Sequence, residues 1–205
     1  MTPDYWHEAI RDLSKRDPIL RKLVRNYPEA NLRSRGNAFS TLARSIVGQQ
    51  ISVKAAQSVW ERVVAASGKI APGRMLALSD TQLRNCGLSW QKVSYVKDLA
   101  AHFADGRIKP RRWAKEDEET IISELVVVRG IGRWSAEMFL IFHMLRPNVF
   151  PVDDLGLQRA IERLYNNGEL LNKQEMREIG KRWEPWCTVA TWYLWRSLDP
   201  LPVEY

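Results

Sequence analysis

From Asn37 onward the apolar residues recur every third or fourth position, and that spacing leaves room for little but helices. Phe39, Leu42, Ala43, Ile46 and Val47 make the first such face. Ser52 stands where an N-cap belongs, ahead of a face of Ala55, Val59, Trp60, Val63 and Val64 that ends before Gly68. Ser79 caps a short helix stopping at Gly87. Ser89 caps a longer one running towards Gly106, with Val93, Val96, Leu99, Ala100 and Phe103 inward. The acidic run 116–119 complements the dipole of a first helical turn. A strongly apolar helix is expected from Arg133 to Leu145, an extended break at Pro147 and Pro151, a helix from Asp153 to Tyr165, and two more, separated near Pro185, reaching Leu198. Strand signals are nearly lacking and no internal repeat is visible, so the expected class is all-α with about ten helices.

Composition narrows the partners. The 205 residues suffice for one large helical domain or two small lobes sharing a core. Lys and Arg outnumber Asp and Glu by 31 to 24, a net charge of +7 that suits either a polyanionic partner or a basic solvated surface. The excess gathers in Arg11, Lys15, Arg16, Arg21, Lys22, Arg25, Arg33 and Arg35, and again in Arg107, Lys109, Arg111, Arg112 and Lys115. Nine Trp and six Tyr supply core packing and candidate stacking platforms for bases. Cys86 and Cys187 are too few for a zinc site or an iron–sulfur cluster. No apolar run approaches the ~20 residues of a membrane span, and the segment from Met1 to His7 lacks the pattern of a secretory signal. The expectation is a soluble, reduced, intracellular monomer beside its nucleic acid: cytoplasm and nucleoid, or nucleus in a eukaryote.

The most informative stretch is Leu125-Val126-Val127-Val128-Arg129-Gly130-Ile131-Gly132-Arg133-Trp134-Ser135-Ala136, two helices joined by a Gly-x-Gly turn. Glycine admits positive φ and close backbone approach. The helix that follows offers free N–H groups and the positive end of its dipole. Gly130, Gly132, Arg133 and Ser135 are therefore candidate phosphate ligands. By itself the turn is also compatible with an ordinary helix–helix connection. It is not a dinucleotide fingerprint, because no strand precedes it and the third glycine is missing.

Leu-x4-Gly-Ile-Gly-x2-Ser-Ala, followed by Pro147, Pro151 and Asp153-Asp154, resembles the helix-hairpin-helix, Gly/Pro-rich loop and aspartate of the helix-hairpin-helix/Gly-Pro-Asp DNA glycosylase superfamily. Ser45-Ile46-Val47-Gly48-Gln49-Gln50-Ile51-Ser52 is similar to the stretch that wedges into DNA. Arg182-Trp183-Glu184-Pro185-Trp186 and Trp192-Tyr193-Leu194-Trp195 resemble the closing helices of the DNA-3-methyladenine glycosylase II (alkylpurine DNA glycosylase) branch. The resemblance spans about Gly36 to Leu198 in four ordered blocks. It implies two helical lobes flanking a DNA-binding cleft within one unit covering 1–205, lobe one at about 37–128 and lobe two at about 1–36 plus 129–205. It also implies a Na+ or K+ ion on the backbone carbonyls of Val126, Val128 and Ile131, with no other cofactor and no iron–sulfur cluster. Arg129 stands where many relatives have proline.

Cleaving an N-glycosidic bond builds positive charge on the sugar, which one fixed carboxylate can stabilise while orienting water. From local sequence, Asp153 and Asp154 could each be a helix cap or a catalytic group. The resemblance selects Asp154. Bifunctional relatives carry a nucleophilic lysine where this chain has Trp134, which implies base release by water without strand cleavage. Trp134 and Trp195, with Met138 one turn along, would line a base pocket whose aromatic faces favour cationic, alkylated purines such as 3-methyladenine and 7-methylguanine; core packing is the other reading of each Trp. Gln50, with Gln49 beside it, occupies the wedge position that fills the gap left by a flipped base. The implied partner is double-stranded DNA carrying damaged bases. The rival readings are a helix-hairpin-helix DNA-binding module without catalysis and a glycosylase for an oxidised or deaminated base.

Overall fold

The computed structural model describes residues 2–29, 32–34 and 36–199; Arg35 of the N-terminal basic cluster lies outside them. The described residues form twelve α-helices and one 3₁₀ helix with no strand, as the apolar spacing predicts. The chain separates into two compact units, Met1–Ser34 with Leu140–Tyr205, and Arg35–Phe139. The second junction falls inside the helix after the Gly-x-Gly turn rather than near 128, so the whole hairpin belongs to the continuous unit.

The discontinuous unit begins with α1 (Trp6–Arg16) and α2 (Pro18–Asn26). Asp17 joins them, and its carboxylate accepts the backbone N–H groups of Ile19 (2.9 Å) and Leu20 (3.1 Å) as the cap of α2. Its other oxygen accepts the Tyr165 hydroxyl (2.8 Å) and the Trp183 indole N–H (3.2 Å), tying the first helices to residues nearly 150 positions later. Burial and the neighbouring Asp17 carboxylate push the Tyr165 phenol well above its ordinary range. The rest of this unit is α10 (Leu155–Tyr165), α11 (Lys173–Lys181) and α12 (Cys187–Leu198), with α12 packed on α1, α2 and α10. Trp6 is buried against Trp192 and Tyr193 of α12, at centroid separations of 5.8 and 6.2 Å.

The continuous unit holds α3 (Ala38–Gly48), α4 (Val53–Ser67), α5 (Pro72–Ala77), α6 (Asp80–Asn85), α7 (Trp90–Ala104), a 3₁₀ turn (Pro110–Lys115) and α8 (Glu118–Val126). The predicted caps are in place: Ser52, Ser79 and Ser89 each accept a backbone N–H three residues on, at 3.3, 3.1 and 3.2 Å. Asp117, at the head of the acidic run, does the same for Thr120. Helix α7 is the central post, packing on α3, α5 and α6. Phe39 meets Phe103 edge-on at 5.3 Å, and Trp113 meets Phe139 at 5.4 Å. Helix α9 (Arg133–Phe142) stops three residues short of the expected Leu145. Leu145 takes φ +55, and the Arg146 N–H turns back to the Leu140 carbonyl at 2.9 Å, which closes the helix ahead of Pro147.

Candidate active site and nucleic-acid interface

In the discontinuous unit lies Asp154, the expected catalytic residue. It is the N-cap of α10, and its Oδ1 accepts the Leu157 N–H at 2.7 Å. The same oxygen accepts the Trp195 indole N–H at 2.8 Å. Two donors converging on one oxygen fix the carboxylate's orientation. Trp195 is fixed in turn, stacked on Phe142 at 5.8 Å and 10°. Gly156 closes the arrangement: a Cβ there would sit 3.1 Å from the Asp154 oxygen and 3.3 Å from the Trp195 ring. Asp153 is not the cap; it pairs with Lys173 at 2.5 Å. The structure thus separates two aspartates that local sequence leaves equivalent, and it adds Phe142 and Gly156, which the sequence reading misses. A glycine in the first turn of an amphipathic helix is the one signal that was available.

In the continuous unit the hairpin from Leu125 to Ala136 turns at Gly130, which takes φ +85. The Tyr95 ring lies against it so closely that a Cβ would fall 2.1 Å away. The Ile131 N–H donates to the Val128 carbonyl at 3.1 Å across the turn. Arg129 donates its backbone N–H to Asp98 (2.9 Å), a bond proline could not make, and its guanidinium faces the same carboxylate at 3.5 Å. Gly132 and Arg133 are exposed and Ser135 is half-buried at the start of α9.

Arg133 has partners within the protein. Its guanidinium makes a two-point contact with Glu119 and its Nε donates to Glu137 at 3.0 Å, so its charge is already matched by two carboxylates. The hydrogen bonds from Arg133 hold the Glu119 carboxyl below the usual range, and the same pairing raises Arg133. Arg133 ties α9 to the first turn of α8.

Gln49 and Gln50 also part company. The Gln49 side chain donates to the Gly130 carbonyl at 2.8 Å, which links its loop to the hairpin. Gln50 is exposed, with φ +58. A concavity of about 460 Å³ opens here, lined by both glutamines, Lys92, Tyr95 and the hairpin turn. Trp134 is 37% exposed, whereas Met138, one turn further along α9, is 5% exposed and packed in. Trp134 and Met138 belong to one compact unit, Asp154 and Trp195 to the other.

The carbonyls of Val126, Val128 and Ile131 are neutral oxygen donors at the edge of the same concavity, a donor set chemically suited to a hard monovalent cation. No cluster of three or more His, Cys, Asp or Glu side chains among the described residues could hold a metal. Cys86 and Cys187 are free, buried and in different units, and burial pushes the Cys187 thiol up to about 12. No helix among the described residues is long and apolar enough to cross a membrane.

A glycine hairpin joined to the Gln49–Gln50 loop, with a clamped aspartate downstream, defines a helix-hairpin-helix protein. The chain belongs to the HhH-GPD superfamily of base excision DNA repair proteins, whose model matches residues 43–185. It is 32% identical over 171 residues to the putative DNA-3-methyladenine glycosylase YfjP of Bacillus subtilis, covering 80% of this chain and 60% of that protein. The crystal structure of a DNA-3-methyladenine glycosidase from Bacillus halodurans superimposes with a TM-score of 0.86 at 33% identity, covering 97% of this chain and 92% of the other. The 3-methyladenine DNA glycosylase Mag1 of Schizosaccharomyces pombe, solved in complex with abasic DNA, superimposes at 0.78 with 28% identity, covering 97% and 99%.

Proposed function

We propose that this protein is a monofunctional DNA glycosylase of base excision repair, which everts alkylated purines such as 3-methyladenine and 7-methylguanine from duplex DNA and releases them with water. The observation that carries the reading is the Asp154 carboxylate, fixed by the Leu157 and Trp195 N–H groups at the head of α10. Relatives about 30% identical are DNA-3-methyladenine glycosylases, which supports the same activity here.

In this mechanism the C1′–N bond breaks with its electron pair moving onto the purine. A purine alkylated at N3 or N7 is a cation and departs neutral, so no general acid is required. Positive charge develops on the deoxyribose and is stabilised by Asp154. Water forms the new C1′–O bond, and the proton it loses passes through the carboxylate to solvent. Trp134 cannot form a Schiff base, so the DNA strand stays intact. Trp134, Trp195 and Met138 are assigned to the base, the two aromatic rings favouring a cationic purine. Gln50 fills the gap in the duplex. The backbone N–H groups around Gly130, Gly132 and Ser135 receive a phosphate, and the carbonyls of Val126, Val128 and Ile131 would hold Na+ or K+ beside it, contributing positive charge. No other cofactor is needed. The protein acts as a monomer on damaged double-stranded DNA inside the cell, 1–205 working as one glycosylase unit.

Asp154→Asn is the decisive test. Asparagine remains a good cap, so the fold and duplex affinity should persist while single-turnover release of 7-methylguanine falls by about 100-fold or more. Unchanged release would remove Asp154 from the mechanism. In competition between lesions, equal or faster release of neutral oxidised bases would overturn the preference for alkylated ones.

A further inference from the structure

Gln50 adopts a backbone conformation that a side chain with a Cβ rarely takes, φ +58. Such a residue is strained and persists only where its surroundings over-determine it. The surroundings are on two sides of one peptide plane. Helix α3 ends at Gly48 with Gln49 as its C-cap, leaving carbonyls without intrahelical donors. From the neighbouring α7, the Lys92 ammonium donates to two of them, Val47 at 2.7 Å and Gln49 at 2.6 Å. A cation at a helix C-terminus is also favoured by the dipole. The Gln49 carbonyl belongs to the peptide whose nitrogen is that of Gln50, so holding this oxygen fixes the plane about which the φ of Gln50 is defined. The Gln49 side chain is held separately by the Gly130 carbonyl at 2.8 Å.

We propose that Lys92 is a positioning residue for base eversion: by gripping the carbonyls of Val47 and Gln49 it holds the Gln50 backbone in its strained conformation, aimed out of the protein and in register with the hairpin. The assignment rests on the reading of Gln50 as the wedge. Desolvation in this position draws the Lys92 pKa below its ordinary value, consistent with an ammonium turned inward onto carbonyls rather than out to solvent. Lys92 touches neither the sugar nor the base in this scheme, and its effect is transmitted through Gln50.

A double-mutant cycle tests the idea, with single-turnover release of 7-methylguanine from methylated duplex DNA as readout and thermal midpoints recorded alongside. Lys92→Met should slow release about 10-fold in the wild-type background and less than about 2-fold in a Gln50→Ala background, because the residue it positions is already gone. Lys92→Gln keeps an N–H donor and should recover part of the rate, which separates positioning from damage to the fold. A full 10-fold loss from Lys92→Met on top of Gln50→Ala would overturn the proposal, as would an unaffected Lys92→Met enzyme beside a slowed Gln50→Ala enzyme. If Gln50→Ala itself releases base at the wild-type rate, the wedge reading falls and the role of Lys92 falls with it.

Discussion

Asp154 serves two ends with one oxygen: Oδ1 caps α10 and receives the Trp195 indole N–H. Capping therefore does not compete with the proposed catalytic role; it is what orients the carboxylate. Adjacent aspartates at a helix start are indistinguishable in sequence because the cap register shifts by one residue without changing the apolar pattern. The partners separate them, since Asp153 faces Lys173 and Asp154 faces Trp195. Gly156 gives a test at this scale. Alanine would gain ~1 kcal/mol of helix propensity over glycine. Its Cβ, however, would press within 3.1 Å of the Asp154 oxygen and 3.3 Å of the Trp195 ring, so the carboxylate must move by a few tenths of an ångström. Gly156→Ala should lower single-turnover base release about 10-fold while leaving the thermal midpoint within about 3 °C of wild type. A normal rate would mean that the position of Asp154 is less demanding than its clamp suggests.

Among the elements, the hairpin was the most legible, because its information is local: two glycines, the flanking apolar residues and the helix that follows. Its supports were not. Tyr95 against Gly130, Asp98 on the Arg129 N–H and Gln49 on the Gly130 carbonyl all come from elsewhere in the chain, and each is an ordinary polar or aromatic residue at an unremarkable helical position. The partners of Arg133 were hidden for a related reason: beside a glycine turn it reads as a phosphate ligand, and its pairing with Glu119 depends on how α8 packs. The two glycines should therefore fail differently. Gly130 needs positive φ and has Tyr95 where a Cβ would go, so Gly130→Ala should destabilise the fold by about 2–4 kcal/mol in urea unfolding. Gly132 has open space where its Cβ would be. Gly132→Ala should leave unfolding unchanged within ~0.5 kcal/mol and instead weaken binding to a fluorescent duplex, because the new methyl intrudes where the phosphate approaches. A Gly132→Ala protein that binds duplex normally would take the backbone turn out of phosphate recognition.

At the scale of the whole molecule, apolar periodicity conveyed an all-helical chain but not how it divides. One compact unit is assembled from residues at both ends of the sequence, and nothing in a local pattern reveals that Trp6 is buried on α12 or that Asp17 receives bonds from Tyr165 and Trp183. The N-terminal stretch was read for its basic residues; structurally its decisive member is an acid. Asp17 is buried at 8% exposure and accepts four hydrogen bonds, two from the backbone of α2 and two from side chains of the distant segment. Removing the carboxylate would leave a phenol and an indole N–H without their acceptor in the interior, besides uncapping α2. Losses of this kind cost about 3–5 kcal/mol in sum. For a chain of this length each kcal/mol lowers the midpoint by about 2–4 °C, so Asp17→Ala should melt about 6–20 °C below wild type. Asp17→Asn retains an acceptor oxygen and should lose less than half as much. Both variants should release alkylated bases at the wild-type rate well below their midpoints, since Asp154, Leu157 and Trp195 keep their contacts. An Asp17→Ala protein melting within 2 °C of wild type would mean that the shared carboxylate adds nothing to holding the two ends of the chain together.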